Sequence, residues 1–214
     1  MNGSGSSIFV VRVWLPDRPG ALGQVASRIG AVRGDVVGIE ILERGAERAV
    51  DELLVALPDA ALVDLLVAEM TQVDGVDVED VRPLRGERHD PGIAALDLAS
   101  QVMACTDDLD ALVVLVRGVA RELDCDWAAV VDLGTGQLRL GEGEAPEPAW
   151  LAAFVEGARH LPEDHEGDAK PHDLAWVELE RAGLALVVGR AGRPFRWRER
   201  RQLTLLGRIT DTRS

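Results

Sequence analysis

The sequence predicts an α+β fold in two parts, on three observations. Residues 8–84 alternate as strand, helix, strand, strand, helix, strand; residues 85–92 are polar and turn-rich; beyond them the pattern changes to paired helices and hairpins. The first order is the ferredoxin-like arrangement. At 214 residues the chain has room for two domains of about 100 residues each. The divisions expected are 1–7 as a disordered Gly- and Ser-rich start, 8–84 as the first domain, 85–92 as a linker and 93–214 as the second domain.

IFVVRVWL (8–15) is rich in β-branched residues and reads as a strand. Leu22, Val25, Ala26, Ile29 and Val32 recur at helical spacing, and Gly34 stops that helix. VVGIEILER (36–44) and RAVDELLVAL (48–57) read as a hairpin around Gly45-Ala46-Glu47. Pro58-Asp59 starts a second helix with Leu62, Leu65, Leu66, Met70 and Val73 on one face, and VDVEDVRPL (76–84) closes the unit as a strand. A sheet of this kind carries its helices on one face. The first strand is largely apolar on both sides, so the open face is expected to need a cover: another copy, an intermolecular sheet, or the second half of the chain.

In the second half, IAALDLASQVMA (93–104) reads as a helix, and Asp107 or Asp108 can cap another that carries Leu109, Leu112, Val113, Val116 and Leu123. WAAVVDL (127–133) with QLRLGEG (137–143), and LAWVELE (174–180) with LALVVGR (184–190), read as hairpins. PAWLAAFVEGARHL (148–161) is a short amphipathic helix, 162–173 a polar loop, and the last helix runs from about Trp197 to Thr212. An antiparallel sheet with helices packed on it follows.

Composition narrows the function. The net charge of −14 is uneven: −7 over residues 1–84, −13 over 85–189 and +6 over 190–214. An acidic body argues against nucleic acid, whose phosphates bind by charge neutralisation. No apolar run approaches the ~20 residues of a membrane span. With no basic start followed by an apolar core, and with two isolated cysteines, Cys105 and Cys125, a cytoplasmic protein with reduced thiols is expected. One lysine against many arginines suggests a GC-rich bacterial genome.

LPDRPGAL (15–22) is the most constrained junction in the chain. Its D-x-P-G-x-L residues Asp17, Pro19, Gly20 and Leu22, set in this element order, resemble the ACT domain, a small-molecule-sensing regulatory module, over residues 8–84. The resemblance implies an amino-acid site at this turn, at an interface between two domains. The expected ligand residues are Asp17, Arg18, Pro19, Gly20, Ala21 and Leu22, with Asp35 and Val36 at the strand edge that faces a neighbour's loop. The residue types suit that use. Pro19 fits a first helical turn, Gly20 lets backbone approach a ligand, the amides of Gly20, Ala21 and Leu22 can take a carboxylate, and Arg18 can add a charged donor. Alternatively Asp17 caps the helix and the prolines stiffen the turn, with Asp35 a turn residue after Gly34.

Residues 174–211 resemble the end of a GAF domain, through the turn Gly192, Pro194, Phe195 and the helix residues Glu199 and Leu203. Arg196 and Trp197 depart from that family's usual capping Ser or Thr, and no N-K-F-[DN] signature is present. Phe195 and Trp197 read as core anchors, while Trp150, Phe154 and His160 could line a small cavity. His160, Glu163, Asp164, His165, His172 and Asp173 are metal-ligating types without a metal-site spacing, so a solvated loop is expected, with no metal and no cofactor. The arginines at 190, 193, 196, 198, 200, 201 and 208 read as a solvated face that pairs with the acidic body, or as a dock for an anionic partner. G-x-S-x-G, H-E-x-x-H, P-loop and Rossmann patterns are absent. The expectation is a non-catalytic homodimeric sensor whose first domain binds an amino acid and whose second relays or senses another signal. An adaptor that dimerises and binds a protein partner without a ligand is the alternative.

Overall fold

The β-branched run at the start forms β1 (Ser7–Pro16), the central strand that positions everything in the N-terminal unit. The computed structural model describes residues 7–45, 47–84, 90–159 and 173–213. It divides into two units, Met1–Arg88 and His89–Ser214.

In the first unit β1 leads to α1 (Ala21–Ala31), then β2 (Asp35–Arg44) and β3 (Arg48–Leu57). A single 3-10 turn, Ala60–Leu62, capped by Asp59, leads into α2 (Val63–Met70), and β4 (Asp77–Pro83) ends the unit. The strands pair antiparallel in the order β2-β3-β1-β4, the ferredoxin-like topology. Alternation puts Phe9, Val11, Val13 and Leu15 of β1 on the helix-bearing face, with Leu53, Val55 and Leu57 of β3. Val25 and Ile29 of α1 and Leu66 and Met70 of α2 close that core. Leu65, expected inside, is 48% exposed. The 3-10 turn delays the α-helix, and Val63, Leu66 and Met70 are the residues of α2 that pack on the core.

The opposite face carries a charge ladder set among Val10, Trp14 and Val50, and Val10, Arg12, Val50 and Glu52 are all buried, as a face that needs a cover requires. Arg12 sits opposite Glu52 and donates from Nε and Nη2 to Glu52 Oε1 at 3.1 and 2.9 Å. Arg82 on β4 donates to the same oxygen at 2.9 Å and pairs Asp80 at 2.7 Å, while Trp14 Nε1 reaches Glu79 at 3.3 Å. Opposite charges directly across a sheet support the pairing.

The second unit holds α3 (Pro91–Ala104), α4 (Asp108–Glu122), β5 (Trp127–Asp132), β6 (Leu138–Glu142), α5 (Pro148–Ala158), β7 (Leu174–Leu179), β8 (Leu184–Gly189) and α6 (Trp197–Arg213). Asp90 caps α3 and Asp107 caps α4 through side-chain oxygens that accept first-turn amides. The sheet order is β6-β5-β8-β7, all antiparallel. Leu98, Leu115, Val119, Leu203 and Leu206 pack α3, α4 and α6 on one face; Leu151 and Val155 pack α5 on the other. Gly118 makes the α3–α4 approach possible, since a Cβ there would stand 2.2 Å from Leu98 Cδ1.

The arginines before α6 are structural, not a solvated face. Arg190 is 2% exposed. It donates to the carbonyls of Leu123, Arg193 and Pro194 at 2.5, 2.9 and 3.0 Å, and to Glu199 at 2.6 Å. Its guanidinium lies 4.0 Å from the Phe195 ring centroid. Glu199 in turn accepts the Arg196 amide at 2.8 Å, the acidic half of a capping box in which Arg196 stands where a Ser or Thr would be. Phe195 is buried as expected, whereas Trp197 is 67% exposed and anchors nothing. Arg201 and Arg208 are the arginines of α6 that face solvent.

Candidate functional site

The junction Pro16–Leu22 is held by backbone rather than by side chains. The Asp17 amide donates to Glu47 O at 2.9 Å, which ties the loop to the β2–β3 turn, and Arg18 N donates to Pro16 O at 2.8 Å. Ala21 N turns back to Arg18 O at 3.3 Å, and Gln24 N to Gly20 O at 3.0 Å begins the helix. Gly20 is the N-cap, with φ +87°, and no side chain caps α1. Two expectations are therefore corrected. Asp17 does not cap the helix, and Pro19 stands before the N-cap rather than in the first turn. A Cβ at Gly20 would meet nothing within 4 Å, so the glycine is required for its left-handed backbone rather than for space.

Of the amides expected to face a ligand, Ala21 is already used. Those of Gly20, Leu22 and Gly23 donate to no acceptor among the described residues. α1 carries no acidic residue in its first turn, so the positive end of its dipole is uncompensated. Asp17, Arg18, Pro19 and Gly20 are exposed, Leu22 is half-buried and Ala21 is buried. The Arg18 side chain makes no hydrogen bond or ion pair among the described residues, which leaves its guanidinium available beside the amides.

Asp35 and Val36 do not join this group within one chain. β2 pairs Asp35 with Ala56, whereas the loop lies at the other end, where Pro16 pairs Arg48 and Arg44 pairs Ala49. The 11 residues of α1 separate the two ends, a span of ~16 Å.

The structure adds a residue that the motif does not contain. Asp51 on β3 pairs with Val13 and Ile41, which places it on the helix-bearing face toward the loop end of the sheet. It is 4% exposed, and its Oδ1 is buried without a hydrogen-bond partner among the described residues. Burial pushes its carboxyl above the ordinary carboxylate range; Arg44 pulls it back and the Asp17 charge adds to the push. A signal was present in the sequence: in AVDELLV, Asp51 occupies the core phase of an otherwise apolar strand. Nearby, Arg48 lies 5.1 Å from the Trp14 ring centroid and pairs Asp77 at 2.5 Å, which fastens β3 to β4 at this end.

In the second unit the expected metal-type residues from His160 to His172 lie outside the described residues. Among the described residues, no group of three or more His, Cys, Asp or Glu is placed to hold a metal. Trp150 stacks on Phe154 at 5.5 Å, and Phe154 meets Trp176 edge-on at 5.0 Å, so these rings fill space against β7. His160 is outside the described residues. Burial pushes the Cys125 thiol up to about 12, an unreactive state. Among the described residues, no helix is long and apolar enough to cross a membrane.

No family model and no curated protein matches the chain. Solved structures do. The ACT domain of GTP pyrophosphokinase from Chlorobium tepidum is 16% identical, with a TM-score of 0.31 over 40% of this chain and 93% of that one. The C-terminal domain of the MgtC protein from Mycobacterium tuberculosis is 19% identical, with a TM-score of 0.31 over 42% and 98%. A formyltetrahydrofolate deformylase from Pseudomonas putida is 14% identical, with a TM-score of 0.32 over 45% of this chain and 38% of its own. Likeness this distant carries no functional weight. The ferredoxin-like assignment rests on the strand order of the chain itself.

Proposed function

We propose that this chain is a non-catalytic, cytoplasmic regulatory protein whose ACT-like first unit binds an α-amino acid at the β1–α1 junction. One juxtaposition carries the reading: unengaged amides at the start of α1 share an end of the sheet with the unpartnered, buried carboxylate of Asp51. The amides of Gly20, Leu22 and Gly23 suit a carboxylate, with Arg18 as a second donor. Asp51 suits an ammonium group, which would remove the cost of a lone buried charge. Ligand binding then shifts the population of domain arrangements, and the second, GAF-like unit passes that state to a partner.

The test is a thermal-shift screen of the proteinogenic amino acids on the full chain. At least one should raise the melting temperature by several degrees at concentrations well above its Kd. Gly20→Asp tolerates the left-handed backbone better than most residues and puts a negative charge at the amides, so it should abolish that shift. A flat screen on well-folded protein removes the amino-acid reading.

A second reading has its own observation. β2 is an edge strand, and Val37, Ile39 and Ile41 are 52%, 51% and 39% exposed along it. An apolar edge with unpaired backbone groups favours strand addition by another copy of the chain, giving a homodimer or an adaptor with no ligand. In that case Ile39→Lys makes the protein monomeric in sedimentation; a wild-type monomer would exclude it.

A further inference from the structure

A cavity in the second unit, unrelated to the amino-acid reading, lies where the start of α4, the end of α6 and the β7–β8 turn meet. Its volume of about 430 Å³ falls in the range of small-molecule sites. The floor is apolar: Leu179 and Leu184 are buried there, and Leu112 is half-buried. At its lip Leu109 is 57% exposed, an apolar surface left to water on the first turn of α4.

The polar wall is unbalanced. Arg213 is 12% exposed at its side chain, and its Nη2 donates to Cys105 O. Its Nε and Nη1 are buried with no hydrogen-bond partner among the described residues. Among the described residues the nearest carboxylate, Asp108 Oδ1, stands 3.8 Å from Nη1, beyond hydrogen-bond length, and Asp108 is itself 67% exposed. Asp211 is engaged with the Arg181 amide at 3.0 Å, and Arg139 with Asp132 at 2.7 Å. A buried guanidinium with two nitrogens unserved is a costly arrangement unless an acceptor arrives.

We infer that this cavity binds a small amphipathic monocarboxylate, with its apolar body on Leu109, Leu112, Leu179 and Leu184 and its carboxylate against Arg213. A neutral ligand leaves the guanidinium unserved, and a cationic one meets like charge. The apolar floor disfavours polyanions such as nucleotides.

The probe is sodium octanoate, below its micelle concentration, titrated calorimetrically into the full chain, with octylammonium as the charge-reversed control. Octanoate should bind saturably at one site, octylammonium should not, and Arg213→Gln should weaken binding by about tenfold or more, with Arg213→Lys recovering part of it. Ala182→Trp, at an exposed position lining the cavity, should fill it and abolish binding with little change in melting temperature. Asp108→Asn, which removes a competing negative charge, should tighten binding. Absence of saturable octanoate binding overturns the inference. So does equal binding of octylammonium, or octanoate binding that Ala182→Trp leaves unchanged. The amino-acid screen is independent of each result, because its site lies in the other unit.

Discussion

Gly20 and Asp51 carry most of what is specific to the N-terminal unit. A left-handed residue costs about 1–2 kcal/mol when it is not glycine, so Gly20→Ala should lower stability by that amount, and Gly20→Asn by less. Chemical denaturation would measure both. Asp51 makes a pH prediction of definite sign. Its folded carboxyl lies above the ordinary range, so the folded state holds the proton more tightly than the unfolded one. Its contribution is therefore most favourable in acid, below the unfolded pKa of about 4, and is lost as pH rises through the higher folded pKa. Asp51→Asn should raise the melting temperature at neutral pH, and the gain should shrink toward pH 4. A constant gain across that range would refute the burial account. Cys125 offers a chemical check: with its thiol pushed up to about 12, it should resist iodoacetamide in the native protein at mildly alkaline pH.

At the level of elements, residues with a single strong phase were legible in the sequence and residues with two roles were not. The alternation of β1 and the helical spacing of Val25 and Ile29 led directly to their observed core positions. Leu65 misled, because spacing alone does not reveal the 3-10 turn that precedes α2. The charge ladder on the other sheet face was not legible for another reason: Arg12, Glu52 and Arg82 meet only through strand register. The alternative of Asp17 as a cap fails because a D-x-P-G sequence only allows capping, while the fold uses the backbone of Gly20. Arg190 reads as surface charge because three of its acceptors, the carbonyls of Leu123, Arg193 and Pro194, are backbone atoms that no sequence pattern marks. Breaking that set has a large predicted cost. Arg190→Met removes the buried charge that faces Glu199 and should destabilise the second unit by about 3 kcal/mol or more, readable as a lowered denaturation midpoint.

For the whole molecule, two units with separate cores carry two different candidate sites, one polar and exposed, the other apolar and recessed. The first was visible in sequence as a constrained turn; its acidic member, Asp51, left only the trace of an acid in the core phase of β3, and its place beside the turn comes from the fold. The second could not be read from sequence, because Leu109, Leu184 and Arg213 lie far apart in the chain and meet only in the fold. The central claim is that the amides at the start of α1 hold an amino acid. Its most direct measurement is a backbone amide NMR titration of the full chain with the amino acid that gives the largest thermal shift. The resonances of Gly20, Leu22 and Gly23 should move saturably, and none should move in Gly20→Asp. Saturable binding that leaves those three resonances in place would contradict it.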